Sequence, residues 1–564
     1  MTKHYSRHWA KVILRFAPVF LSTSLFAAQL PNQILLNQQQ QLEQQREELL
    51  KRPDIFLPQD QIKPTPTAPS PTDTVCFEIR RIELADVPAN WQSWLQPLAN
   101  LAQGKCMGIG QINQLIAELT NEIVNRGYTT SRVFVPEQNL KSGGLTLLVK
   151  PGRIRQLRLK SGGNNISLFS AFPISVGDIL NIRDIEQGLE QLSRARSQHA
   201  TMQIVPGDLP GESDVVVSLE HSKPVQSALS WDDAGQEATG KQQGTATISI
   251  DGLSGFNDVL SLSWGQDVEQ SQHPRSRSRT VSWLLPWGNW TVFASHGEFD
   301  YEQLVNGTNQ SFTSSGLNRN TLLSLSRLLH RNQISKTELA LQLTRKSSRS
   351  YIESTEIALQ KRDLSLAGLE LTHRHYLGSV VLDAALGYTR GVSWFDAMGD
   401  ALAKQGGPSA HHEVFSGQLG LSVPFQLGKQ SLRWSSELYG QYSPDLLFGS
   451  EQFTIGGRYT VRGFDEQSLT GQSGYHLRNE LSWSMPIPFP PGTAAELYAG
   501  LDAGQVSRIN GSDTDTHSLS GWAIGLRGAL PGGLSAELSH ERALHQPSSW
   551  TRPSITHFRL TLRY

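Results

Sequence analysis

Long apolar runs are missing from this chain. Beyond its first 28 residues no stretch is long enough to cross a bilayer as a helix. Apolar residues make up 38% of the 564 residues, and mean hydropathy is −0.33, which argues against a helical membrane protein. Charge of one sign is missing too. Fifty Lys+Arg stand against 51 Asp+Glu, so no basic field exists to attract nucleic acid. Catalytic signatures are absent: there is no G-x-S-x-G elbow and no H-E-x-x-H. Gly235-Gln236-Glu237-Ala238-Thr239-Gly240-Lys241 imitates a phosphate loop, but Gln242 takes the Ser/Thr place and a β-hairpin surrounds it. His373 and His375 share a strand face with no third ligand in view, so a surface or lumen pair is expected and no metal site. Neither a cofactor nor enzymatic activity is implied. Cysteine is scarce: Cys76 and Cys106 are the only two.

What is present is alternation. In the last segment, Phe558, Leu560, Leu562 and Tyr564 fall on one face, and His557, Arg559, Thr561 and Arg563 on the other. Sixteen such strands are expected: 226–236, 243–252, 257–266, 277–286, 289–300, 319–330, 335–346, 363–375, 378–390, 412–424, 430–442, 474–485, 494–506, 518–528, 532–541 and 555–564. Every second connection is tight or proline-rich. The others are long and polar, such as 301–317 and 391–411. A soluble sandwich has no reason to sort its loops by parity, whereas an outer-membrane barrel has short periplasmic turns and long outer loops. The fold class expected is therefore an all-β, 16-stranded antiparallel transmembrane barrel over residues 224–564.

The N-terminal part is built differently. Lys3, Arg7, Lys11 and Arg15 precede a short apolar run ending at Ala27-Ala28, so residues 1–28 read as a cleaved signal peptide of an exported protein. Residues 34–50 lack Pro and Gly and favour a polar helix. Its length of roughly 26 Å matches the height of a barrel's apolar band, and an exposed helix is the alternative. Residues 51–73 carry six prolines and form an extended linker.

Two small α+β modules follow, over 74–151 and 152–223. The first reads β-α-α-β-β and the second repeats that order in shortened form, with one helix bearing Ile182, Ile185, Leu189 and Leu192; the repeat is a stronger signal than either copy. The first opens with a strand over 76–84 and has a helix bearing Ile112, Leu115, Ile116, Leu119 and Ile123 on one stripe, with Gly127 as its C-cap. An even cysteine count in an oxidising compartment favours a Cys76–Cys106 disulfide over two buried thiols.

The most telling segment is 452–464, in the longest connection on the outer side. A glycine pair, Gly456-Gly457, leads to Val461-Arg462-Gly463-Phe464 with apolar flanks, which suits a loop packed against something. Here the chain resembles the TpsB outer-membrane transporters of two-partner secretion, over essentially the whole mature length. The resemblance implies a plug helix over 29–50, two POTRA modules, and a sixth outer loop folded back into the lumen. It also implies that Arg462 pairs with a barrel-wall Asp. The family's wall motif, F-x-D after a glycine, is matched by Gly500-Leu501-Asp502 without its aromatic residue. Strand parity independently turns Glu496, Tyr498, Gly500 and Asp502 inward, and Arg478 and Glu480 on the strand before, so Glu480 is a second candidate partner.

The resemblance further implies a TpsA-type exoprotein as cargo, captured by POTRA sheet edges, with 131–135 the edge expected. Outer-membrane lipid and the barrel-assembly machinery would be the other partners, and the POTRA modules would stand in the periplasm of a Gram-negative bacterium. A barrel-assembly insertase, a porin and an adhesin are the alternatives.

Overall fold

The structure is a computed structural model that describes residues 36, 38–44, 46, 47, 50, 54–57, 75–160, 166–269, 275–306, 310–485, 487, 490–550 and 554–564, apart from 511 and 512. The signal peptide expected over 1–28 and most of the linker over 51–73 lie outside the described residues.

Sixteen antiparallel strands close on themselves, the first (Val225–Asp232) pairing with the last (Ser554–Arg563). That seam runs from Arg559↔Asp232 to Arg563↔Ala228 and is extended by reciprocal amide bonds between Tyr564 and Ser227. Alternation decides which side faces what. Ile248 and Leu262 are exposed on the outside, while Thr247, Ser249, Ser261 and Ser263 line the lumen. Their hydroxyls pair across the strands, Ser249 with Ser261 at 2.8 Å and Thr247 with Ser263 at 3.1 Å. Leu560 and Leu562 likewise face outward beside the exposed Tyr564, and Phe558 packs edge-on against Trp231.

Two of the long loops prove to be strand. The fifth and sixth strands, Trp290–Asn306 and Ser311–Arg331, stay paired as far as Asn306↔Ser311, so most of 301–317 is ladder. Ala494–Asn510 and Asp513–Ala529 do the same. Above the bilayer both faces of a ribbon meet water, so backbone pairing continues there without the hydropathy alternation that reveals it. The connection over 393–412, in contrast, is irregular apart from one short turn of helix, Ala403–Gln405.

In the first module the strand expected over 76–84 breaks at Arg80 into Phe77–Ile79 and Arg81–Ala85, because the two halves pair with different partners. Phe77–Ile79 pairs with Lys105–Met107, where a disulfide joins Cys76 to Cys106 across a Cα separation of 5.3 Å. Arg81–Ala85 instead joins Gly144–Lys150 and Arg132–Phe134 in a three-stranded sheet, with Arg132–Phe134 at one edge. The helix Ile109–Asn125 buries Ile112, Leu115, Leu119 and Ile123 on that sheet and ends before Gly127 at φ +98°. The second module repeats the plan with Arg153–Leu159, a helix Ile182–Leu192, and the strands Gln198–Pro206 and Glu212–His221.

Candidate functional site

The sixth outer connection, 443–472, turns back against the inner wall. Phe453–Ile455 pairs with Leu469–Gly471 to make a small hairpin, and Gly456 and Gly457 (φ +100° and +121°) turn the chain out of it. Val461 and Phe464 are 0% and 1% exposed. They share a core with Ile455, Val506, Leu519 and Ala543, the last three from the wall. The loop is therefore packed by its own apolar residues, and burial of Phe464 alone is worth about 2 kcal/mol.

That packing carries Arg462 onto the wall. Its Nε donates to Asp502 Oδ2 at 2.6 Å, its Nη2 to Oδ1 at 2.9 Å, and its backbone N–H to Oδ2 at 3.1 Å. Nη1 reaches Glu480 Oε2 at 3.0 Å. Both sequence candidates thus surround one guanidinium, with Asp502 taking the bidentate geometry. The Arg462 side chain is 4% exposed and that of Asp502 0%. The missing wall aromatic has a geometric counterpart: a Cβ at Gly500 would collide with Nη2 of Arg462, so the guanidinium occupies the space above that glycine. Tyr498, two residues earlier, supplies a ring 6.0 Å from the Arg462 guanidinium.

Several groups around this pair carry no motif and escape sequence reading. Arg527 donates to Glu480 at 2.7 Å and also to Glu496, which holds Arg433 at 2.8 Å. Glu541, 1% exposed, accepts the Gly463 N–H at 3.0 Å. Gly463 has φ +96° and lies against the backbone of Arg542, a place where a side chain is excluded. Asp233, just past the first strand, binds Arg458 of the loop, His557 Nδ1 at 3.0 Å and the Phe558 N–H at 3.0 Å. It therefore ties the loop to both sides of the seam. The loop resembling a phosphate site contributes Lys241, which pairs with Asp465. His373 bonds to Thr337 Oγ1 at 2.9 Å.

Comparison with known proteins places the chain in a family. Residues 211–528 match the family described as haemolysin secretion/activation protein ShlB/FhaC/HecB. Residues 77–152 match the ShlB-type POTRA domain and 153–206 a POTRA domain. The chain belongs to this family. It is 34% identical over 553 residues to outer membrane transporter CdiB-2 of Burkholderia pseudomallei, covering 93% of each chain. It is 28% identical to hemolysin transporter protein ShlB of Serratia marcescens, covering 90% of this chain and 86% of that one. The solved CdiB from Escherichia coli superposes with a TM-score of 0.85 at 28% identity, covering 95% and 99% of the two chains. The protein is thus a TpsB transporter of the outer membrane, its POTRA modules periplasmic, serving the two-partner secretion of an exoprotein.

In this TpsB transporter the lumen holds a cavity of about 2030 Å³ with a helix inside it. Residues 38–44 are helical and sit among wall side chains. Gln41 donates to the Ala234 carbonyl at 3.3 Å, and Leu50 packs on Leu284, Phe293 and Leu322.

At the periplasmic mouth the second module's helix is buried on both faces. Ile185 and Leu189 face their own sheet. Gln187 and Gln191 donate to the Gly288 carbonyl in the tight turn Trp287-Gly288, at 3.1 and 2.7 Å. Glu186 and Glu190, both 0% exposed, meet Arg331, and Glu190 also meets Lys336. Burial alone would raise the Glu190 carboxyl; Arg331 and Lys336 outweigh it and hold its pKa below the ordinary value.

Proposed function

We propose that the Arg462–Asp502 pair is a latch that keeps the sixth loop inside the barrel and the pore competent for export. The observation that carries this is the bidentate, water-excluded contact between a loop tip and the wall at the level of the lumen. An arginine suits such a task because its planar fork matches a carboxylate and it cannot lose its proton. Glu480 shares the guanidinium and passes charge on to Arg527, so it supports the latch and is not the principal partner.

The lumenal helix acts as a resting plug, and the exoprotein displaces it. The POTRA modules receive that exoprotein unfolded, through edge strands such as Arg132–Phe134, and the barrel conducts it outward to fold at the cell surface. Residues 1–28 direct export of the transporter and are removed. The barrel-assembly machinery inserts it, with Phe558, Leu560, Leu562 and Tyr564 as the terminal signal, and lipid surrounds it. Transport of this kind needs no catalytic centre, cofactor or metal, and no nucleic acid takes part. Profiling the secreted proteins of a deletion strain tests the whole reading. Loss of one large exoprotein, restored by the intact gene and not by Arg462→Ala, is expected. Depletion of many outer-membrane barrels would instead identify an insertase.

A further inference from the structure

Residues 54–57 thread between the second module's helix and the barrel turns, and every contact they make alternates. The N–H of Ile55 donates to Glu190 Oε1 at 3.0 Å and that of Leu57 to Glu186 Oε1 at 2.8 Å. The Ile55 carbonyl accepts from Arg331 Nη2 at 2.8 Å. The side chains of Ile55 and Leu57 pack on the module's core beside Leu189. Phe56 lies on the other side, edge-on to Tyr376 with ring centroids 4.7 Å apart, below Arg331 and Lys336. Asp54 ends the row, bound by Lys336 Nζ at 2.7 Å and Arg374 Nη1 at 2.8 Å. Period-two contacts of this kind mark an extended segment. The groups that read it are themselves built in: the side chains of Glu186 and Glu190 are 0% exposed, Arg331 3% and Lys336 7%.

We infer that this cleft is a binding site for an extended peptide with apolar side chains at alternate positions, and that 54–57 is its resident, autoinhibitory occupant. It reads backbone amides and a carbonyl with charged groups, so beyond the two apolar positions it recognises an extended chain with little regard to sequence. An unfolded exoprotein arriving at the mouth presents such a chain and takes the site. The consequence for gating rests on the plug reading above. Three residues separate Leu50 from Asp54, so the helix end stays within about 14 Å of the cleft while Asp54 is held. That is shorter than an apolar band of roughly 25 Å, so the occupied cleft restricts how far the helix can withdraw from the barrel.

The test uses the full-length protein with Ile55→Ser and Leu57→Ser, checked for heat-modifiable migration, and a fluorescent peptide with the sequence of residues 52–59. By fluorescence anisotropy the peptide should bind this variant at least tenfold more tightly than the unaltered protein. A peptide carrying the same two serines should not bind. Equal affinity for both proteins, or no saturable binding, overturns the site. In planar bilayers the variant should spend at least tenfold more time open than the unaltered protein, as should a protein lacking 29–50. If the deletion opens the pore and the serine variant does not, the gating role is overturned while the plug stands. If the deletion itself changes nothing, the plug reading fails, and the anisotropy result alone decides the site.

Discussion

The sixth loop and the second module's helix are both fastened to the barrel by buried ion pairs, one at each end, yet the fastenings are unlike. The loop brings its own apolar core, with Val461 and Phe464 fully enclosed, so Arg462 arrives at Asp502 already positioned. The helix has spent its apolar face on its own sheet and meets the barrel through Glu186, Gln187, Glu190 and Gln191, with Arg194 just past its end. The outer fastening is thus hydrophobic packing with an ionic tip, and the inner one is ionic and amide contact throughout. Buried ion pairs gain little over apolar contacts but cost much when half-broken. The outer end should therefore lose function without losing its fold, and the inner end should lose its docking.

The largest effect expected is at the outer end. Arg462→Ala and Asp502→Ala should each lower secreted exoprotein at least tenfold while the barrel still inserts and stays heat-modifiable on a gel. The double exchange Arg462→Asp with Asp502→Arg should recover part of the export. If Asp502→Ala secretes normally and Glu480→Ala does not, Glu480 is the principal partner.

At the inner end, Glu190→Ala removes the carboxylate that the buried cations Arg331 and Lys336 share, leaving Arg331 only Glu186 and Lys336 only Asp54 as acidic partners among the described residues. A loss of about 3–5 kcal/mol in docking is expected, seen as faster hydrogen exchange along Ile182–Leu192. Unchanged exchange there would mean that the helix is held by its sheet alone.

A third prediction sharpens the contrast between the modules themselves. The first carries the disulfide, closing a separation of 30 residues. Cys76→Ser with Cys106→Ser should cost about 3 kcal/mol, read as lost exchange protection in Ile109–Asn125 and not in Ile182–Leu192. Equal loss in both helices would show the two modules unfolding as one.

The smallest effect concerns Asp184 on the docked helix. Burial, reinforced by Asp178 and opposed by Arg331, pushes its carboxyl up to about 6. The folded state then binds more protons than the unfolded one between about pH 4 and 6, so this group's contribution is complete below that window and lost as pH rises through it. Asp184→Asn should stabilise the module by about 1–2 kcal/mol at pH 7 and by nothing below pH 4. A gain independent of pH in urea unfolding would assign the effect to packing.

Much of this was legible in the residues. Period-two alternation and the parity of turn lengths located all sixteen strands, because a lipid-facing wall forces alternation wherever it touches the bilayer. Parity also turned Asp502 and Glu480 inward, and the V-R-G-F run pointed to their partner. The strand extensions over 301–306 and 311–317 were not legible, since alternation stops where both faces are wet. Arg80, where the first module's opening strand divides between two sheets, has nothing local to mark it.

Sequence alone determined the barrel, the repeat and the motif-bearing loop, each specified by local periodicity or by spacing within one segment. Only the tertiary structure decided which charges meet. Asp233 reaches Arg458 and His557, Glu541 caps Gly463, and Glu190 faces Arg331 and Lys336 across one barrel turn and Ile55 from a distant stretch of chain. An ion pair's worth depends on distance and on the water excluded around it, and neither is a property of any one segment.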